Sequence, residues 1–426
     1  MRESGGNVNP LSVASLLDAT RRNVNRRPIA IILLVVALDA MGLGLMFPIL
    51  PGLLRELTGS GDISLRYGVI MALYSAMQFV FSPVLGALSD RYGRRPVLLV
   101  SMAGASIDYL VMAFSPLYAV LLAGRAVGGI TSANIAVASA YITDVTPEAE
   151  RTRRFGLMNA FFGVGFIVGP VVGGALGDLH LRAPFMLAAA LNGINFALAL
   201  FILPESREKS AIPLQLASFN PLAPMRWALG LSVILPLIGM FTLFALIGNI
   251  PGTVWVLYGQ DKFHWSGLLV GLSLASFGFF HAGAQAFLTG PVTKRFGEIR
   301  TIIFGILTDV AAFVLIAFAT SGWVAFIVSP LFAVSGVGMP ALQSLMSRAV
   351  SEDRQGELQG VLASLTSLTA IVGPLVGTAV YYYTRTVWIG AVWILGAAIY
   401  AFMIPLLAAD ARRRPAEAPE KVSLSC

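Results

Sequence analysis

The sequence predicts an all-α membrane protein of twelve transmembrane helices in two six-helix halves, and three observations lead there. Of the 426 residues, 57% are hydrophobic and only 12% charged, against about 45–50% and 25% in an average soluble protein. The apolar residues fall in blocks of about 18–25, the length a helix needs to cross a hydrocarbon core of about 30 Å. The third observation is an internal repeat. Ile167-Val168-Gly169-Pro170-Val171-Val172-Gly173 returns as Ile371-Val372-Gly373-Pro374-Leu375-Val376-Gly377, 204 positions on, and the same offset carries Arg91-Tyr92-Gly93 to Arg295-Phe296-Gly297 and Gly156 to Gly360. Parallel six-span repeats of this kind place a solute site between the halves near the membrane midplane.

Taken in order, the spans are expected at 29–53, 67–88, 97–114, 117–143, 155–177, 184–203, 227–257, 267–290, 301–319, 323–346, 358–381 and 386–407. The first follows the basic residues Arg26 and Arg27, and nothing in 1–28 reads as a secretory signal, so span 1 acts as its own insertion signal. The polar stretch 204–226 is the longest internal connection and divides a first half, 29–203, from a second, 227–407, with an extension at 1–28 and a tail at 408–426.

The basic residues fix the expected orientation. Of 29 Lys and Arg, five precede span 1, three lie in each of the loops 2–3, 4–5, 6–7 and 8–9, two in loop 10–11 and four in the tail. The opposite side holds Arg55, Arg66, Arg182, Lys262 and Arg385, and Arg125 lies within a span. Both termini are therefore expected in the cytoplasm. The net charge of +7 reads as topology rather than as nucleic-acid binding. The single cysteine, Cys426, excludes an intrachain disulfide, and three histidines without a Cys/His cluster argue against a zinc site.

Ionisable groups inside spans mark function by default, because a carboxylate at a span centre costs about 2.5–3.5 kcal/mol on insertion scales. Asp39, Asp108 and Asp309 lie in spans 1, 3 and 9, about 15, 16 and 12 Å in from the cytoplasmic ends at 1.5 Å per residue. Their expected role is to change protonation as access alternates, against the alternative of a packing acid held by a fixed partner such as Arg125. Asp108, beside Ser106 and Tyr109, is divided evenly between the two readings. Arg125 has Gly124, Gly128 and Ser132 along its helix, so a neighbouring helix can come close; it is as readily a structural counter-ion as a participant in proton release. His281 and Gln285 share a helix face four residues apart, with proton coupling and ordinary packing as the two readings for the histidine. Gln78, Asn134, Asn249 and Gln285, with Asp39 and Asp108, are the polar groups expected to meet a solute.

Two glycine-rich motifs complete the set. Gly165, Gly169, Gly173 and Gly177, with Pro170 beside the second, make a flat ridge for close helix contact, and Gly174 belongs to the same helix-packing motif. The short basic turn from Gly86 through Asp90, Arg91, Gly93, Arg94 and Arg95 to Pro96 can pair with acids and helix ends at the membrane surface.

These residues carry a resemblance. The turn Gly86–Pro96 resembles the loop signature of the major facilitator superfamily, and Gly165-x-x-x-Gly169-Pro170-x-x-Gly173-Gly174 resembles the motif of its drug/proton antiporters. From about residue 29 to 407 the chain resembles the tetracycline/proton antiporters of bacterial inner membranes, most plainly at Leu38–Gly44, Pro48–Arg55, Asp108-Tyr109, Ala183–Phe185, His281 with Gln285, Gly290-Pro291, Gly338–Gln343 and Gln355–Gly360. The resemblance implies the major facilitator fold and export of a magnesium–tetracycline monocation in exchange for a proton. It also implies transport roles for Asp39, Asp108 and Asp309, coupling through His281, a gating role for Asp90 and Arg94, and a buried arginine at Arg125. The runner-up is a proton-coupled exporter of another planar or cationic drug or metabolite. No resident cofactor or fixed metal is expected, since the proton gradient supplies the energy and magnesium arrives with the drug.

The expected partners are the drug and the bilayer, with no ATP and no nucleic acid, and the protein is expected to be a monomer or weak oligomer. An enzyme is not expected: His-Glu-x-x-His and Gly-x-Ser-x-Gly are absent, and the four lysines include none in a phosphate loop. The chain departs from the family at Thr131–Ala136, Asn249, Phe161 and the 28 residues before span 1, which points to a shifted or broadened drug profile.

Overall fold

The computed structural model describes residues 10–132, 134–207, 225 and 234–413; side chains are described within these except at 10–27, 353 and 409–413. The first nine residues of the expected extension, the greater part of the connection 204–226, the first residues of the expected seventh span and the end of the tail lie outside the described residues. Among the described residues the α-helices run in order as α1 (Pro10–Met46), α2 (Leu50–Thr58), α3 (Ser64–Tyr92), α4 (Arg94–Phe114), α5 (Tyr118–Thr131), α6 (Asn134–Val145), α7 (Glu148–Leu179), α8 (Ala183–Ile202), α9 (Leu235–Phe263), α10 (Gly267–Phe287), α11 (Thr289–Phe296), α12 (Glu298–Ala317), α13 (Trp323–Ser335), α14 (Gly338–Arg348), α15 (Gln355–Thr384) and α16 (Ala391–Arg413). Twelve stretches among the described residues are long and apolar enough to cross a membrane. The chain is a multi-pass membrane protein.

Among the described residues four expected spans are not single rods: the eighth is interrupted at Leu288, between α10 and α11, and each of the other three interruptions has a local cause. The first ends at Met46 and resumes as α2 at Leu50, because Pro48 offers no N–H and disfavours helical geometry in the residue before it. The fourth breaks after Thr131, whose hydroxyl bonds back to the Val127 carbonyl at 2.9 Å, with Ser132 at φ −77°, ψ 82°. The tenth breaks between Ser335 and Gly338. Pro340 cannot donate to the carbonyl four residues earlier, so the oxygen of Gly336 is left without its helical partner. The breaks at Ser132 and Gly336 are separated by the same 204 positions that relate the repeated motifs.

The helices gather into two compact units. The first comprises residues 1–59 and 77–220, the second 60–76 and 221–426, so α3 begins in one unit and ends in the other. Within the first unit α1 lies against α7 and α8, and α4 against α5 and α8. Its core includes Ile32, Leu33, Val36, Leu98, Met102, Tyr141, Ile142 and Leu203. In the second unit α9 packs on α15, α12 on α13, α14 and α16, and α10 on α13. Its centre is aromatic: Trp393 meets Trp255, Tyr258 and Phe313 with ring centroids 5.3–6.0 Å apart.

The glycine ridge of α7 is an α1 contact. A Cβ at Gly169 would come 2.6 Å from the Met41 carbonyl and 2.9 Å from Gly44 Cα, and one at Gly44 would come 2.7 Å from Pro170 Cδ. Side chains there would force the two backbones apart, which is why the motif alternates glycine at every fourth position.

Candidate functional site: buried acids and broken helices

The first unit holds two acids in different settings. Asp108 on α4 and Arg125 on α5 form an ion pair in which both side chains are 2% exposed. Arg125 Nε donates to Asp108 Oδ1 at 3.1 Å, its Nη1 reaches Met46 Sδ at 3.2 Å, and the guanidinium lies 5.6 Å from the centre of the Tyr109 ring. Gly128 makes the pair fit, because a Cβ there would run into the Asp108 carboxylate. The charge of Asp108 is thus balanced inside the unit. Asp39 on α1 accepts instead from the amide of Asn134 at 2.7 Å, at the first residue of α6 beyond the break. Gln78 on α3 donates to the hydroxyl of Ser132 at 3.0 Å, at the break itself.

The second unit repeats this pattern with other chemistry. Asp309 on α12 is 8% exposed and lies near the hydroxyls of Ser335 and Tyr400. Each hydroxyl also reaches a backbone carbonyl, Ser335 that of Phe332 at 2.7 Å and Tyr400 that of Phe244 at 3.3 Å. A hydroxyl hydrogen can turn from carbonyl to carboxylate when the charge on Asp309 changes. Among the described residues neither Asp39 nor Asp309 belongs to an ion pair. A carboxylate in hydrocarbon without a counter-ion is relieved by an arriving proton or an arriving cation.

His281 and Gln285 do share a face of α10, and both meet the broken helix. His281 stacks on Phe277 with centroids 5.3 Å apart, and Gln285 Nε2 donates to the orphaned Gly336 carbonyl at 2.9 Å while its Oε1 accepts from Thr289 at 3.3 Å. Asn249 turns its amide back onto the Ala245 carbonyl of its own helix at 2.8 Å and sits beneath Gly373 of α15. Among the described residues no three His, Cys, Asp or Glu side chains cluster as metal ligands.

The basic turn after the second span is shorter than its sequence suggests: α3 ends at Tyr92, α4 starts at Arg94, and Gly93 alone, at φ 103°, joins them. Arg94 is 6% exposed and bonds Ser89 at 2.7 Å, Asp90 at 2.8 Å and Asp144 at 3.1 Å. Asp90 also pairs with Arg207 at 2.8 Å. Arg91 lies over the Tyr92 ring, Arg95 donates to the Leu200 carbonyl, and Gly86 borders open space. Glu205 caps α4 by accepting from the backbone N–H of Arg94 at 2.7 Å and of Arg95 at 3.2 Å, where a helix N-terminus favours negative charge.

Several of these residues were not singled out from the sequence. Glu205 and Asp144 are remote from the turn they hold, and Ser335 and Tyr400 are ordinary residues of apolar helices until Asp309 is set beside them. Asn192 and Asn195 on α8 are fully buried, with amides on the Ala188 and Val35 carbonyls at 2.9 and 3.1 Å. Their signal was available, since two amides three residues apart in a membrane span need partners.

Residues 32–284 and 237–424 match the family model described as the Major Facilitator Superfamily. The chain is 53% identical over 377 residues to the tetracycline resistance protein, class C, of Escherichia coli, covering 88% of this chain and 95% of that protein. It is 49% identical over 385 residues to the class G protein of Vibrio anguillarum, covering 90% and 97%. Among solved structures, the human organic anion transporter MFSD10 (TETRAN) superposes with a TM-score of 0.66 at 24% identity, over 90% of this chain and 99% of that one, a likeness of fold. The chain belongs to the Major Facilitator Superfamily and, within it, to the tetracycline resistance proteins.

Proposed function

We propose that the protein exports tetracycline as its magnesium complex, a monocation, in exchange for a proton. The substrate follows from the relatives: class C, G, E and B tetracycline resistance proteins are 41–53% identical to it over most of its length. The observation that carries the coupling is the contrast among the three buried acids. Asp108 has its own cation in Arg125, whereas among the described residues Asp39 has the neutral amide of Asn134 and Asp309 the neighbouring hydroxyls of Ser335 and Tyr400, and neither has an ion pair. Those two can be satisfied in turn by a proton or by the positive solute, which is what exchange of one for the other requires.

In this reading Asp39 with Asn134 receives the cation, Gln78 and Ser132 border the same broken helix, and Asp309 carries the exchanged proton with His281 in support. Asp108 and Arg125 hold α4 to α5 as a neutral unit. Magnesium, a hard cation that keeps oxygen ligands and water, arrives with the drug, so the protein needs only a charge for the complex as a whole. Both termini lie in the cytoplasm and the Gly86–Pro96 turn, with Asp90, Arg94 and Glu205, closes that face.

Everted membrane vesicles carrying the protein test the assignment. Tetracycline uptake is expected to depend on an inward-acid proton gradient and on magnesium, and Asp309→Asn is expected to insert and fold yet lose gradient-driven uptake. Uptake that persists at the normal rate when the gradient is collapsed overturns the exchange.

A further inference from the structure

The break in the tenth span stands between two parts of the proposed proton pathway. On one side, α12 comes close: a Cβ at Gly305, one turn before Asp309, would lie 2.8 Å from the Ser335 carbonyl and 3.1 Å from Gly338 Cα, which brings the Ser335 hydroxyl, bonded to the Phe332 carbonyl at 2.7 Å, near the Asp309 carboxyl. On the other side, α10 grips the next residue. Gln285 holds the Gly336 carbonyl that Pro340 leaves free, and a Cβ at Gly336 would lie 2.6 Å from His281 Cε1 and 2.9 Å from its Nδ1. That nitrogen is buried and has no hydrogen-bond partner among the described residues. Two adjacent residues, Ser335 and Gly336, therefore connect a carboxyl on α12 to an imidazole on α10.

We propose that Gly336 is a positioning residue for proton coupling: its bare Cα seats His281, its carbonyl anchors Gln285, and the preceding hydroxyl ties this seat to Asp309, so that imidazole and carboxyl move as one body. The inference rests on the proton-exchange reading above. It goes further in assigning a role to a backbone position that bears no ionisable group. Any side chain at 336 displaces the histidine, because the other contact of that Cβ is the Ala333 carbonyl at 3.2 Å, which is fixed in the helix.

The test uses full-length protein in vesicles and two readouts, tetracycline uptake and carbethoxylation of His281 by diethyl pyrocarbonate, mapped by mass spectrometry. Gly336→Ala is expected to raise the labelling rate of His281 and to lower gradient-driven uptake, each by about tenfold, within the range of ordinary coupling between sites. An unchanged labelling rate, or faster labelling with wild-type uptake, overturns the proposal. If Gly336→Ala does not reach the membrane, Ser335→Ala and Ser335→Thr decide: loss of uptake in the first and recovery in the second supports the link to Asp309, and wild-type uptake in Ser335→Ala overturns it. Wild-type uptake indifferent to the gradient removes the exchange reading and the coupling role with it. The labelling result then still reports whether Gly336 seats the histidine.

Discussion

Ser132 and Gly336 stand 204 positions apart, each at the break of a membrane-spanning helix, and each accepts a hydrogen bond from a glutamine of another helix. Gln78 Nε2 reaches the Ser132 hydroxyl at 3.0 Å and Gln285 Nε2 reaches the Gly336 carbonyl at 2.9 Å. A broken helix in a membrane exposes backbone groups that lipid cannot satisfy, so irregular backbone persists only where protein or water supplies partners. The two halves repeat this solution although the glutamines themselves do not align at the repeat offset. The acids beside the breaks differ as well, Asp39 through Asn134 in one unit and Asp309 through Ser335 in the other.

Replacing either glutamine by alanine tests the value of these contacts. Hydrogen bonds between membrane helices are worth about 0.6 kcal/mol on average and up to about 1.7 kcal/mol. Gln285→Ala is expected near the upper end, because it orphans a carbonyl that Pro340 already deprives of its helical donor. Gln78→Ala leaves only a hydroxyl, which can turn to another acceptor, so its effect is smaller. Thermal unfolding of the purified variants in detergent ranks them, and an equal or reversed order contradicts the explanation of the tenth-span break.

The pair Asp108–Arg125 makes a sharper forecast. Removing one partner of a buried ion pair costs about 3–5 kcal/mol, because the other charge is left uncompensated. Asp108→Asn and Arg125→Gln are each expected to lower the melting temperature and the amount of protein in the membrane. The double variant, neutral throughout, is expected to recover much of that loss. A double variant as unstable as the sum of the singles would show that specific geometry, rather than charge balance, holds α4 to α5.

The fold was largely legible in the sequence, because hydropathy responds to the bilayer and not to the details of packing. The breaks were less so. Pro48 and Pro340 are visible chemical causes, yet the interruption at Ser132 comes from a Thr–Ser pair that also occurs in unbroken helices. The paired state of Asp108 and the unpaired state of Asp39 could not be separated from sequence, since both are single aspartates at similar depth in apolar helices. Only the register of α5 on α4, set by Gly128, decides which of them meets Arg125. Glu205 was hidden for a different reason: it lies 111 residues beyond the backbone amide it caps.

Gly93 gives the turn between α3 and α4 its shape in two ways. Its φ of 103° disfavours any other residue, and a Cβ would collide with the Glu205 carboxylate. Backbone strain of this kind costs about 1–3 kcal/mol. Gly93→Ala is expected to destabilise the protein by more than that amount, because it also drives Glu205 from the start of α4, whereas Glu205→Ala removes the cap alone, at about 1 kcal/mol. In the Glu205→Ala background the alanine at 93 meets no carboxylate, so its added cost is expected to fall to the backbone contribution. Unfolding temperatures of the two single variants and the double test the coupling; strictly additive losses mean the carboxylate is not what the new methyl group strikes.

The proposed exchange has a pH signature whose sign follows from charge alone. If the drug complex binds as a cation at the Asp39 carboxylate, a proton there removes the attraction, so affinity falls as pH falls. One proton displaced per drug bound gives at most about a tenfold change in dissociation constant per pH unit. The drug's own titration is common to all variants and cancels in the ratio of wild type to Asp39→Asn, whose amide keeps an oxygen toward Asn134 but carries no charge at any pH. Wild type is therefore expected to lose affinity toward acid pH faster than Asp39→Asn, with the two curves converging where Asp39 is protonated. Tetracycline fluorescence titrations at constant magnesium across that range measure both curves. If they run parallel throughout, the competing proton lies elsewhere, and Asp39 with Asn134 serves packing rather than exchange.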